Sequence, residues 1–473
     1  MRAVVDQMRA AGLVPATAPK WRVPSEGNVL PGAEPSAQTR RASEAFRHLV
    51  EEYARTSVAQ DVSFRQLVGP IPVNDLSHSI HPYPARVLRQ IPRFFLHCEQ
   101  LAKPGDVVLD PFCGSGTVLV EARAVGVHGW GIDCNPFARL LSEVKTTPLD
   151  RTVTARSLTE TLSRAKASRA GITPDVVNID FWFTGTVKRT LARLYRAISE
   201  ADLPTDVHRY LLVTLALTAD RCSLRDTRIP VPVRRKDWKH HGDGQTTTDV
   251  WLTFDALGRS IASRLAALPQ TFMVSTVIAG DDASHAPETF ASGLNNRLQK
   301  PRLILTSPPY GAAQKYIRSC SLALGWTGLA ASHELAGLER RLIGREHLHK
   351  RECLDLSTPP GQIARDISRV ASDDKVRAAV YAHYFRSMDV AFNNLISLLE
   401  PGGVLVFIAG SNVVAGELIE THAHLETLAV RHGMVPMLQL RDTIRGRVLL
   451  TKRALGGVPL HTETVHVLRK PSA

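Results

Sequence analysis

Residues 306–310 read Thr-Ser-Pro-Pro-Tyr and directly follow the apolar run Arg302–Thr306. Two consecutive prolines fix φ and remove two backbone donors, so the turn is rigid and its carbonyls point outward as acceptors. Such a corner suits an amino group attached to an aromatic ring. That amine is a poor nucleophile, because its lone pair is delocalised into the ring. Acceptors on both N–H bonds, from Ser307 Oγ and the Pro308 carbonyl, would pull the nitrogen toward tetrahedral geometry and free the pair. Pro309 stiffens the corner, and Tyr310 offers a flat face on which the ring can stack. A hydroxyl is a weak general base, so Ser307 orients and polarises the amine and leaves its proton alone. By itself a Pro-Pro-Tyr turn is also an ordinary piece of loop.

A second constellation lies upstream, in Val-Val-Leu-Asp-Pro-Phe-Cys-Gly-Ser-Gly-Thr at residues 107–117. A strand ends at Asp110, and Gly114 and Gly116 let the backbone turn tightly and approach a ligand before a helix begins near Thr117. A dinucleotide fingerprint wants a third glycine where Leu119 stands, and no Gly-Lys-Ser/Thr follows for a phosphate loop. Next, Gly129-Trp-Gly-Ile-Asp133 ends a strand in an acid about 20 residues on, placed to accept the hydroxyls of a ribose. Val277-Ile-Ala-Gly-Asp281-Asp282 ends another in acids suited to an adenine amino group. A strand-end aspartate is about as often a helix cap. Three strand ends of this polarity in order say more than any one of them.

The elements that must position these residues are short and apolar. Val107–Asp110, Gly129–Asp133, Val274–Gly280, Arg302–Thr306 and Gly403–Gly410 read as buried parallel strands, with helical patterns such as Thr117–Val125 and Ala378–Leu399 between them. Met434–Leu440 and Thr462–Leu468 read as an edge hairpin. The expected fold is α/β: a doubly wound, mostly parallel, seven-stranded Rossmann-like sheet with a large helical insertion. Roughly 140 residues separate the second and third strands, far more than an ordinary connection. The expected division is an N-terminal arm and linker at 1–73, a nucleoside-binding part at 74–150, and the helical insertion at 151–270. The part carrying Pro-Pro-Tyr follows at 271–473, with a smaller insertion at 331–374.

Asp110-Pro-Phe112-Cys-Gly114-Ser-Gly116-Thr117, followed by Ser307-Pro-Pro-Tyr310, resembles the motifs of the amino-group DNA methyltransferases that use S-adenosylmethionine. The likeness covers about 75–145, 274–330 and 378–470. It implies that Asp110, Phe112, Gly114, Gly116 and Thr117 form the cofactor loop, with the glycines at the methionine end. Asp133 would take the ribose and Asp281 or Asp282 the adenine. His81-Pro-Tyr83-Pro-Ala-Arg-Val-Leu88 resembles the family's segment that closes over the methionine, which gives His81 and Tyr83 a place at the cofactor. In that family Ser-Pro-Pro-Tyr goes mainly with the N4 amine of cytosine, and Asp- or Asn-Pro-Pro-Tyr more often with N6 of adenine. Cytosine is the first expectation and adenine the second. An RNA amino-methyltransferase and a non-catalytic DNA-binding subunit rank lower. The resemblance also implies a restriction-modification or defence setting with partner proteins.

Charge agrees with a nucleic-acid partner. Lys and Arg number 58 against 45 Asp and Glu, a net charge of +13. Neutralising phosphates releases counterions, so such an excess favours a polyanion. The target base would have to be flipped out or already single-stranded to reach a buried methyl donor. The densest basic run gives Arg221, Arg225, Arg228, Arg234, Arg235 and Lys236 as DNA-binding candidates, with Trp238 among them to stack or wedge. Arg340, Arg341, Arg345, Lys350 and Arg351 read instead as a solvated surface, and Arg441, Arg445 and Arg447 as edge charge or phosphate contact. The six cysteines include no C-x-x-C pair, so neither a disulfide framework nor a metal site is expected. No signal-peptide pattern or membrane-length apolar run stands out, and the expected place is the cytoplasm, on the nucleoid through DNA.

Overall fold

In the computed structural model the described residues are 35–72, 75–235, 249–270, 274–286, 299–311, 315–443 and 462–472. Expectations for 1–34, Lys236, Trp238, Arg445 and Arg447 fall outside them.

The strands are β1 (Gln60–Val62), β2 (Val107–Asp110), β3 (His128–Ile132), β4 (Thr276–Gly280), β5 (Leu303–Thr306), β6 (Val404–Ala409), β7 (Asn412–Val414), β8 (Glu417–Ile419), β9 (Val435–Thr443) and β10 (Thr462–Arg469). Eight of them form one sheet in the order β1-β9-β10-β6-β5-β2-β3-β4, while β7 and β8 make a separate hairpin. The run β6-β5-β2-β3-β4 is parallel throughout. Its direction of winding reverses at β2, which is flanked by β3 on one side and β5 on the other. In such sheets ligands bind beyond the carboxyl ends of the strands at that switch.

The sequence Val-Val-Leu-Asp in β2 and Leu-Ile-Leu-Thr in β5 is buried at every position. Alternate side chains enter opposite layers. Val108, Leu305 and Val406 join Phe94, Phe95 and Val118 on one face, whereas Leu109, Ile304 and Phe407 join Phe385, Phe392 and Leu395 of helix Lys375–Leu398 on the other. Helices on both faces explain why these strands show no polar alternation. Between β3 and β4 run helices Arg151–Ala167, Gly185–Ser199, Thr205–Cys222 and Val250–Ala266, which pack around Leu158, Leu191, Tyr210 and Phe254 in a core shared with Tyr83, with Phe137 of helix Pro136–Thr146 and with Trp326. Among the described residues no helix is long and apolar enough to cross a membrane.

The sheet has one strand more than expected. Gln60–Val62, within the stretch read as arm and linker, pairs in parallel with Leu440–Asp442 and takes the edge. The 435–443 and 462–469 strands are antiparallel as a pair but lie inside the sheet, with β10 also paired to β6. A three-residue strand has too little alternation to be read from sequence.

A buried ionic network fastens the segment before β2 to the helix after it. Glu121, on helix Thr117–Ala124, receives His78 Nε2 at 2.7 Å and Arg93 Nε at 2.8 Å, and Arg93 also meets Asp75. Burial alone would raise the Glu121 carboxyl, but His78 and Arg93 bring it below its ordinary value. Removing one partner leaves a buried charge uncompensated, so Arg93→Ala should cost about 3 kcal/mol or more in urea unfolding. A loss under about 1 kcal/mol would show the network to be dispensable.

Candidate functional site

The tips of β2 and β5 are joined by one hydrogen bond. Thr306 Oγ1 donates to Asp110 Oδ1 at 2.7 Å, and Phe112 N donates to the same oxygen at 3.2 Å. Asp110 is so deeply buried that desolvation lifts its carboxyl to about 7 despite both bonds. Beyond it the chain enters the left-handed region twice, at Gly114 (φ 50°) and Gly116 (φ 74°). A Cβ on Gly116 would lie 2.8 Å from Ser142 Oγ and 3.1 Å from Ser142 Cα, so the loop is seated directly on helix Pro136–Thr146. From that helix Lys145 Nζ, wholly buried, donates to Ser115 O at 2.6 Å, and Ser142 Oγ donates to Gly114 O at 2.9 Å. Burial lowers the lysine to about 7.

Asp133, at the end of β3, turns its carboxylate back on this loop. Gly114 N donates to Oδ2 at 2.8 Å and Asn135 N to Oδ1 at 2.8 Å. Each oxygen keeps a lone pair for a ligand. Tyr83 stands over Gly114, 3.5 Å from where a Cβ would be, and its hydroxyl accepts from Asn135 Nδ2 at 3.0 Å. At the end of β4 the two acids differ. Asp282 caps a short turn, accepting from Ser284 N at 2.9 Å and lying 3.1 Å from His285 Nδ1. Asp281 instead pairs with Arg341, 2.8 Å away.

Asp110, Phe112, Gly114, Asp133, Asp281 and Asp282 line one cleft together with Ser307 and Pro309, about 870 Å³ including its open mouth. Tyr83 and Thr117 line it too. Ser307 Oγ donates to Ile408 O, at the tip of β6, at 3.4 Å, which leaves its lone pairs as acceptors. Tyr310 stands beside this wall with its hydroxyl donating to Glu463 Oε1 of β10 at 2.7 Å. Gly311 is packed on Tyr381, whose hydroxyl donates to the Gly311 carbonyl at 3.0 Å. The cleft therefore brings four aspartates, Arg86, Arg341 and the Pro-Pro corner together, which offers a polar ligand several fixed hydrogen-bond partners beside a ring amine.

Four expected site residues lie outside the cleft wall, Tyr310 beside it among them. Gly116 is beneath the loop on Ser142. Pro308 is absent from the lining although Ser307 and Pro309 are in it. His81 packs edge-on against Phe137, ring centroids 5.2 Å apart, behind Tyr83. Its Nδ1 has no partner among the described residues, and burial pushes the ring down to about 3, so it serves as a neutral packing group.

The basic run is divided. Arg225 is turned inward, onto Asp220 at 2.6 Å and the Ile229 carbonyl at 2.8 Å, so it closes a loop and is withdrawn from any phosphate. Arg228 is exposed and paired with Asp226. Arg221 and Arg235 are exposed, and the Arg234 guanidinium lies 4.6 Å over the exposed Phe181 ring. Several contributors to the cleft and its corner escaped sequence reading: Arg341, Leu342 and Ile343 from the smaller insertion, Tyr316, and Glu463 as the anchor of Tyr310. No local pattern marks them, because tertiary contact alone brings them there.

Residues 72–143 match a DNA methylase family. Over 390 residues the chain is 22% identical to the type II methyltransferase M.MvaI of Kocuria varians, spanning 76% of this chain and 82% of that protein. Over 89 residues it is 37% identical to the type II methyltransferase M.MjaII of Methanocaldococcus jannaschii, which is 19% of this chain and 16% of the other. Among solved structures, the rRNA methyltransferase aviRa of Streptomyces viridochromogenes aligns over 86% of this chain and 96% of its own, at 12% identity with a TM-score of 0.30. A score that low has no weight for fold or substrate.

The raised carboxyl of Asp110 has a measurable signature. The folded protein keeps this proton up to about 7, whereas the unfolded chain releases it near 4. Folding stability attributable to Asp110 is therefore full below 4 and falls as pH rises from 4 toward 7. Asp110→Asn, which keeps an oxygen for Thr306, should gain on the parent by about 1–3 kcal/mol between pH 4 and pH 8 in thermal or urea melts. Parallel stability curves for the two proteins would refute the assignment.

Proposed function

We propose that this chain, a member of the amino-group DNA methyltransferase family, transfers a methyl group from S-adenosylmethionine to the N4 amine of a cytosine in DNA. The observation that carries the reading is the shared cleft: Ser307 and Pro309 face the loop at Asp110–Gly114 across the Thr306–Asp110 hydrogen bond. The residues fit the cofactor. Asp133 and Asp281 are placed as acceptors for the hydroxyls and amine of a nucleoside, and the glycine loop leaves room under Tyr83 that a Cβ at Gly114 would enter.

In this reading Tyr83, Asp110 and the 112–117 loop hold the methionine end, Asp133 the ribose and Asp281 the adenine. The bound cofactor supplies a methyl group already activated on sulfur, so no protein nucleophile is needed. The protein aligns the amine for in-line attack. Ser307 Oγ, with its proton on Ile408 O, accepts one amine N–H, and the Pro308 carbonyl accepts the other. Tyr310, held by Glu463, presents its ring to the base. The cytosine must leave the stack to reach this depth, and Arg221, Arg228, Arg234 and Arg235 are the described candidates for holding the surrounding phosphates.

The type II class of the relatives supports modification of a defined DNA sequence by this chain. The Ser-Pro-Pro-Tyr wording favours cytosine over adenine, and a restriction or defence setting rests on the family resemblance.

DNA incubated with the protein and tritiated S-adenosylmethionine, then digested to nucleosides, should carry label in N4-methylcytosine. Label in N6-methyladenine overturns the base, and label confined to RNA overturns the substrate. Tyr310→Ala should lower transfer roughly 10- to 100-fold, the scale of one lost stacking contact, with cofactor affinity within about 3-fold. Asp133→Ala should weaken cofactor binding first. If the two variants behave alike, the proposed division of the cleft is wrong.

A further inference from the structure

The smaller insertion reaches the cleft through four consecutive residues. Arg341, Leu342 and Ile343 line it, and Gly344 lies against the Pro-Pro-Tyr corner. Gly344 has φ 80°, and a Cβ there would sit 2.8 Å from the Tyr310 carbonyl oxygen. No other residue type fits that approach without moving backbone. On the far side Arg345 holds Glu352 at 2.5 Å and His383 at 3.1 Å. The segment is thus a strap tied down at 344 and 345, with Arg341 at its other end, where it caps helix Leu335–Arg340.

Arg341 Nη2 meets Asp281 Oδ2 at 2.8 Å. The neighbouring Asp282 has both oxygens engaged, by Ser284 N and His285 Nδ1. Asp281 Oδ1 has no partner among the described residues. A half-exposed carboxylate on its own rotates and stays hydrated. One oxygen pinned by a guanidinium leaves the other in a fixed place, which lowers the ordering cost when a ligand donor arrives.

We propose that Arg341 is a positioning residue that makes the cofactor cleft selective for an aminopurine, by holding Asp281 so that Oδ1 accepts from the exocyclic amine. Leu342 and Ile343 supply the apolar wall beside the purine ring. The proposal rests on the reading of the cleft as the S-adenosylmethionine site and adds to it a residue from an insertion that sequence alone marks as solvated surface. An exposed ion pair contributes little to folding, so the strap's arginine is better explained by what it does to a ligand.

The test pairs variants with two ligands. S-adenosylhomocysteine carries the purine amine, and S-inosylhomocysteine has a carbonyl oxygen in its place. Calorimetric titration of the full chain should show the adenosyl compound bound at least roughly 10-fold more tightly, since a site built to accept from an amine rejects its absence. Arg341→Ala should weaken the adenosyl compound about 5- to 20-fold and the inosyl compound less than about 2-fold, so that discrimination collapses. Arg341→Lys should recover most of it. Equal weakening of both ligands, no weakening, or tighter adenosyl binding in Arg341→Ala would each overturn the proposal. A parent protein that binds neither ligand instead removes the cofactor reading on which the proposal stands, and thermal melts confirm that each variant is folded.

Discussion

A hydrogen bond at the middle of the sheet joins the strand tips that carry the two motifs of the cleft. Thr306 Oγ1 donates to Asp110 Oδ1 where β2 and β5 end side by side. Both residues are buried, so water cannot replace either partner, and an unmet carboxylate there would be costly. The bond sets the tip of the strand that feeds the glycine loop against the tip of the strand that feeds the proline corner. The positions open to ligand and base depend on those two tips staying in register.

The wall of the cleft is built from groups that satisfy one another before any ligand arrives. Asp133 ties Gly114 to Asn135, and Asn135 reaches Tyr83, which in turn covers Gly114. Lys145 and Ser142 hold the loop carbonyls from below. The loop is preorganised, with little left to order on binding. The same closure explains why burial raises Asp110 and lowers Lys145: these groups trade solvent for a few fixed contacts.

What could be read in the sequence was whatever is written in a short window. Val107–Asp110 and Leu303–Thr306 are uninterrupted apolar runs because helices cover both faces. The acids that end β2, β3 and β4 are visible as punctuation after such runs, and all of them face one cleft. Contacts that join distant stretches left no such mark. Gln60–Val62 becomes a strand only through Leu440–Asp442, Arg341 matters only through Asp281, and Tyr310 is oriented by Glu463. Arg225 shows the opposite failure: a basic residue in a basic run, turned inward by Asp220. Charge in sequence gives no direction.

The place of β10 in the sheet has a temporal meaning. This strand inserts between β6 and β9 and carries Glu463, the carboxylate that holds Tyr310. A growing chain presents both motifs, the glycine loop and the proline corner, long before residues 462–469 leave the ribosome. Until then β6 lacks its outer neighbour and the tyrosine its anchor. Synthesis and competence are thereby kept apart, and a nascent polypeptide that already holds every signature residue is still an unfinished instrument.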